Sequence, residues 1–283
     1  MNQVRVHSFR EDAMSDLDGH GISDRIALGE VSAHEVMEAA IARARAVEED
    51  LHCLASQDFE RALNTSRSPY PGKFSGVPTA IKDNTAVAGL PTQFGSTSFT
   101  ASPESTDGNF VRQMLQTGMI PLGKSRLPEF AFGVTCEYSK APPVRNPWNT
   151  AYTTGGSSGG AAALVASGVV PIAHATDAGG SIRIPAAACG LVGLKPSRGR
   201  LVQDISEKAM PLRIAVQCVL TRSVRDNVGM IFEAERLQRN TRLRPVRNVT
   251  EPSRTRLRIG VLTKSPNSSP VDAETQDSIR AGR

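Results

Sequence analysis

Residues Thr153 to Arg200 read TTGGSSGGAAALVASGVVPIAHATDAGGSIRIPAAACGLVGLKPSRGR. Two serines, Ser157 and Ser181, each sit in a glycine-flanked turn, and between them the pattern gives one helix of small residues and one short strand. Glycine tolerates positive φ and lets a backbone approach a ligand closely. A Gly-Gly-Ser turn can therefore present a hydroxyl together with inward-pointing N–H groups. That pairing suits a nucleophile beside an oxyanion site.

Upstream, FSGVPTAIKDN predicts a strand over Val77 to Lys82 that runs into a polar turn. Loops follow to about Asp107, then a helix with Val111, Met114 and Leu115 on one side, closed by Gly118, and a strand over Met119 to Leu122. Strand, helix and strand at this spacing indicate α/β layering. Nearer the N-terminus, Ser23 to Leu28 predicts a short helix closed by Gly29. Ser32 and Glu35 form an S-x-x-E capping box. The helix it opens puts Met37, Ala40, Ile41, Ala44 and Val47 on one face and leaves Glu38, Arg43 and Arg45 off it.

Downstream the pattern predicts a loop over Val202 to Leu212 and a strand around Ile214 to Leu220. A helix capped by Ser223, an arginine-bearing linker over about 239–256, a last strand at Leu257 to Leu262 and the start of a helix follow. The expectation is a single domain over 1–283, with its chemistry in about 70–225 and no internal repeat.

Composition narrows the classes. Hydrophobic residues make up 39% but aromatics only 5%, so the core must be aliphatic and alanine-rich. The net charge of +5 comes mainly from arginines between Arg222 and Arg258. These alternate with Pro, Thr, Val and Leu, which reads as a solvated linker and not a nucleic-acid patch. Cys53, Cys136, Cys189 and Cys218 are widely spaced, giving neither a metal site nor a disulfide framework and fitting reduced thiols in the cytoplasm. The N-terminus lacks an apolar signal core, and the apolar run Ala161 to Ala175 is too short and interrupted to span a bilayer.

Gly118 to Ser125 matches the letters of a phosphate-binding loop, GxxxxGK[ST]. That loop needs a strand before it and a helix opening at its Lys-Ser. Here a helix precedes it, its middle is strand-like, and Pro128 disfavours helix just beyond. Nucleotide binding is rejected.

A serine hydroxyl needs a base. His7, His20, His34 and His52 fall on polar or helical surface, and His174 lies within a strand as a core or sheet-edge imidazole. None is expected in a turn beside an acidic partner, which argues against a Ser-His-Asp arrangement. Lys82 ends an apolar strand, where burial lowers a lysine pKa. Bringing it from ~10.4 toward neutrality takes about 4 kcal/mol. Taken singly, Lys82 also fits a snorkelling surface lysine and Ser157 a flexible linker or anion-binding turn.

Together, GGSSGG and DAGGSIRIPAAACGLVGLKPSRG, with 24 residues between the serines and IKD upstream, resemble the amidase signature family. The similarity covers roughly Ile22 to Leu262 and takes in GKSRLPEF, RNPWN and LTRSVRD. It implies a mixed β-sheet core covered by helices on both faces, with the C-terminal part of that sheet missing from this chain. It also implies that Ser181 is the acyl-accepting nucleophile, that Ser157 relays its proton to Lys82, and that the Gly156–Ser157 bond is cis. Backbone N–H groups of Ala178, Gly179, Gly180 and Ser181 would receive the oxyanion, and Ser158, Asp177 and Arg183 would brace the turn. The implied reaction is hydrolysis of a small carboxamide through an acyl-enzyme, with no cofactor and no metal. Alternatives are a glutaminase subunit of a tRNA-dependent amidotransferase, or an inactive or complementation-dependent fragment. The expected partner is a small amide, not nucleic acid or membrane, with homo-oligomerisation left open.

Overall fold

The computed structural model describes residues 4–204, 213–247, 256, 258, 260, 262, 263, 265, 267 and 269–281. The chain divides into two compact units, Met1–Asn248 and Val249–Arg283, each described by itself. In the first unit the N-terminal stretch leads into α1 (Gly19–Ala27), capped by the Asp18 carboxylate and starting four residues before the predicted helix. Helix α2 (Ala33–Leu51) opens with the full Ser32–Glu35 capping box. Its predicted apolar face is buried, but Arg43 joins that face and does not lie off it. The guanidinium is satisfied inside by Asp12, at 2.8 and 2.6 Å, and by the carbonyl of Gly168 at 2.9 Å. A planar fork of donors tolerates burial when carboxylate and carbonyl oxygens meet it.

Strand β1 (Leu54–Gln57) and α3 (Phe59–Ser66) follow, in a stretch without a sequence assignment. Strand β2 (Pro78–Lys82) then pairs in parallel with β3 (Ile120–Ser125), the two linked by loops and α4 (Asn109–Leu115). β1 adds antiparallel to the other edge of β3, giving the order β1-β3-β2. A 3-10 turn (Glu129–Ala131) and the hairpin β4 (Arg145–Asn146)–β5 (Asn149–Thr153) lead to α5 (Gly159–Ala166). Then come β6 (Ile172–Asp177), α6 (Arg183–Cys189), β7 (Val192–Gly193), β8 (Val216–Thr221) and α7 (Val224–Leu237). α6 carries Pro185 in its first turn, where a missing N–H costs no helical bond. The second sheet has the order β6-β8-β7, all antiparallel. Ser223 caps α7 as predicted.

The architecture is α/β, with mixed sheets and helices packed on them. Every residue of β2, β6 and β8 is buried, so side chains alternating to both faces are covered. The expected single sheet takes the form of these two three-stranded sheets, which meet where β2 lies beside β6. In the second unit, α8 (Ala273–Ala281) answers the predicted helix start. The strand predicted at Leu257 to Leu262 falls partly outside the described residues, and Arg258, Gly260 and Leu262 are not in a strand. The predicted 202–212 loop lies mostly outside them too. Among the described residues no helix is long and apolar enough to cross a membrane. All four cysteines are buried free thiols.

Ile120–Ser125 being a strand, no helix opens at Lys124-Ser125, and the phosphate-loop geometry is absent there. Helix α5 explains its small residues: all eight are buried. A Cβ on Gly160 would stand 2.5 Å from the Arg126 nitrogen and 2.6 Å from the Cys53 carbonyl oxygen, both main chain. Gly160→Ala is therefore expected to destabilise by about 2–3 kcal/mol, since backbone cannot swing aside as a side chain does. Urea unfolding that leaves the midpoint unchanged would refute this.

Candidate functional site

Lys82 ends β2 and is fully buried. Its Nζ donates to three hydroxyls: Ser157 Oγ at 2.7 Å, Thr176 Oγ1 at 2.8 Å and Ser158 Oγ at 2.9 Å. Ser157 and Ser158 come from the turn before α5, and Thr176 from β6. The Gly156–Ser157 peptide is cis. Ser158 N–H donates to the Ser181 carbonyl at 3.3 Å, tying the two serine turns together. Sequence reasoning missed Thr176, although its place beside Asp177 at the end of a strand was a usable signal. Asn84 Nδ2 also reaches Thr176 Oγ1, at 3.3 Å.

Asp177 is buried at the end of β6 and organises the second turn. It accepts from the N–H groups of Gly180 at 2.8 Å and Ile182 at 3.2 Å. Two further bonds come from Arg183, Nε to Oδ2 at 2.9 Å and Nη2 to Oδ1 at 3.0 Å. Burial alone would push this carboxyl up, but Arg183 and the N–H donors outweigh it and hold it below the ordinary value. Gly180 has φ +128, a conformation suited to glycine.

That arrangement alters the expected oxyanion set. The N–H of Gly180 is given to Asp177. Among the described residues, the N–H groups of Ala178, Gly179 and Ser181 remain for an incoming oxygen. Ala178 and Gly179 are exposed, and nothing lies within 4 Å of the place a Gly179 Cβ would take.

Ser157, Thr176, Ala178, Gly179 and Ser181 line one cavity of about 480 Å³. Phe94, Phe130, Phe132, Val134 and Ile184 form much of its wall. Among the described residues no hydrogen bond joins the Ser157 and Ser181 hydroxyls. The Lys82–Ser157 contact is made, and the Ser157–Ser181 contact is not. Phe94, from the loops between β2 and α4, reaches the cavity.

Two histidines, both in helices and not in turns, have acidic neighbours. His20 Nδ1 lies 2.7 Å from Asp226 Oδ1, a partner brought in by α7 from 206 residues away. His34 contacts Ser66 Oγ at 3.0 Å and approaches Glu38 at 3.7 Å. Ser66 is buried and gives its proton to the Leu63 carbonyl, so this trio is not presented to a substrate. Among the described residues no cluster of three or more His, Cys, Asp or Glu side chains is placed to hold a metal.

His174 is buried beside the site, and its pKa falls to about 3, first through burial and then through the nearby Lys82 and Lys124 charges. Its folded pKa lies below its unfolded value of about 6.5. As pH falls below that unfolded value, the unfolded chain takes up a proton the folded one refuses, and stability is lost. The slope is about 1.4 kcal/mol per pH unit between roughly pH 6 and 4. Urea unfolding across that range should show a steeper slope in the wild type than in His174→Asn, by about this amount; equal slopes would refute it.

The amidase family profile matches residues 35–281. The Mycobacterium leprae protein named "Putative amidase AmiC" is 52% identical over 261 residues, covering 92% of this chain and 56% of that protein. The 6-aminohexanoate-cyclic-dimer hydrolase of Paenarthrobacter ureafaciens is 35% identical, over 88% of this chain and 52% of its own length. Among solved structures, a bacterial aryl acylamidase of the amidase signature family superposes with TM-score 0.71 at 30% identity. That match covers 76% of this chain and 46% of the other. The chain thus spans about half the length of the relatives it matches.

Proposed function

The chain belongs to the amidase signature family, and on that footing we propose that its site hydrolyses a carboxamide C–N bond by acyl transfer to Ser181. Uncharged Lys82 takes a proton through Ser157, and Ser181 attacks the carbonyl carbon. The oxyanion meets the N–H groups of Ala178, Gly179 and Ser181. The proton returns along the same path to the departing amine, which must be protonated to leave. Water then repeats the sequence on the acyl-enzyme, releasing a carboxylate. Ser158 and Thr176 hold the lysine nitrogen, and Asp177 with Arg183 holds the nucleophile's turn. The apolar cavity wall suits an uncharged acyl group.

The observation that carries this reading is the fully buried Lys82 nitrogen standing 2.7 Å from Ser157 Oγ, within reach of its proton, beside a cavity lined by Ser181. Closing the relay requires the Ser157 and Ser181 hydroxyls to come within hydrogen-bond reach, a contact of the kind that tightens when substrate binds. A fluorophosphonate probe should label the wild type at Ser181 and leave Ser181→Ala unlabelled. Labelling of both, or of neither, would refute the assignment. Resemblance to glutamyl-tRNA(Gln) amidotransferases is shorter, 40% identity over 65% of this chain for the Halothermothrix orenii protein. Ammonia release from a simple amide without a second protein separates the two.

A further inference from the structure

β2 and β6 lie side by side, yet no strand ladder joins them. Side chains bridge the seam, Lys82 Nζ to Thr176 Oγ1 at 2.8 Å among them. Thr79 Oγ1 donates to the Ile172 carbonyl at 2.9 Å, and the main-chain N–H of Lys82 donates to His174 Nδ1 at 3.1 Å. The seam matters because the base stands on one sheet and the Ser181 turn follows β6 of the other, with the Ser157 turn tied to it through Ser158.

We propose that His174 is a positioning residue for the Lys82 amine, accepting the Lys82 main-chain N–H across the seam and so setting where the base stands relative to the serine turns. The inference rests on the amidase reading. Because Nδ1 accepts, the ring proton sits on Nε2 and is donated to Gln217 Oε1 on β8, at 2.5 Å. Gln217 Nε2 in turn donates to Asp204 Oδ2 at 3.2 Å. The Phe110 ring packs on the imidazole with centroids 5.1 Å apart. The ring is thus held in one tautomer and one orientation.

Strand alternation puts His174 and Thr176 on the same side of β6. One takes the main-chain N–H of Lys82 and the other its Nζ, so a single strand holds both ends of the residue. Burial keeps His174 neutral at ordinary pH, and positive charge on nearby Lys124, or on Lys82 when it is protonated, acts in the same sense. It therefore remains an acceptor wherever the enzyme works. Removing the acceptor takes away the bond that fixes the Lys82 main chain to β6 and lets the end of β2 shift.

The test uses the full 283-residue chain with His174→Leu, which has no acceptor, and His174→Asn, which keeps one. In His174→Leu, probe labelling of Ser181 should slow about 100-fold, the scale of an ångström's misplacement, with saturable probe binding changed less than about threefold. The Lys82 amide should exchange its hydrogen about 100-fold faster than in the wild type. His174→Asn should recover labelling to within about tenfold of wild type. A folded His174→Leu with wild-type labelling and amide protection overturns the inference, as does His174→Asn behaving like His174→Leu. If the wild type takes no label at Ser181, the amidase reading fails while amide protection still decides the role of His174. In the wild type, a scalar coupling across the Lys82 N–H to His174 Nδ1 bond is expected. Its absence overturns the inference whether or not the variants fold.

Discussion

Lys82→Ala is expected to slow acylation of Ser181 by about 10³- to 10⁴-fold, the upper range for loss of a positioned general base. The amine is the donor to Ser157, Ser158 and Thr176 together, so its removal takes away the proton acceptor and also releases the hydroxyls it gathers. Lys82→Arg separates the two contributions. A guanidinium can still donate to hydroxyls but does not give up its proton in a protein. If Lys82 acts as the base, Lys82→Arg is as slow as Lys82→Ala although it restores a donor. Stopped-flow labelling with a fluorophosphonate reads both. Acylation near the wild-type rate in either variant would remove Lys82 from the mechanism.

The second large effect concerns stability. Asp83 and Lys124 form a buried pair at 2.8 Å next to the site, and Lys124 also donates to the Pro91 carbonyl at 2.8 Å and Thr92 Oγ1 at 3.0 Å. Burial pushes the Asp83 carboxyl up and the Lys124 amine down, with each partner's charge working against that shift. Asp83→Ala strands a buried ammonium and should cost about 3–5 kcal/mol. The double variant Asp83→Ala/Lys124→Met should recover much of that loss, because no lone charge remains inside. Urea unfolding of the two single variants and the double one closes the cycle. A double variant as unstable as the sum of the singles would show that the pair is not coupled.

This pair also shows what the sequence made legible and what it hid. The GxxxxGK[ST] letters drew attention to Lys124, and strand-like Ile120 to Leu122 were enough to reject the loop. The acceptor Asp83, 41 positions away, was not visible, since parallel pairing of β2 with β3 brings the two together. Local signals read true: the Ser32–Glu35 box, the Ser223 cap and the buried face of α2 each depend on neighbours within a few residues. Arg43 was misplaced because its charge outweighed its position, three residues past Ala40 on the buried stripe. Its partner Asp12 comes from the opening stretch. β1 is four residues long and alternates only weakly, so it left little pattern to read. At the site, Lys82, Ser157 and Ser158 form one hydrogen-bonded group and Asp177, Gly180 and Arg183 another, while among the described residues no hydrogen bond joins the hydroxyls of Ser157 and Ser181. Thr176, the seam role of His174 and the diversion of the Gly180 N–H to Asp177 emerge only from three-dimensional packing.

The bare contact between Gly160 and the main chains of Arg126 and Cys53 has a consequence for how the protein can evolve. No side chain cushions that contact, and Gly160 lies two residues from Ser158 in the first turn of α5. The aromatic wall at Phe130 and Phe132 sits on a separate, solvent-facing turn. On the proposed reading, substitutions on that turn change the cavity wall without touching the tightly packed helix beneath it.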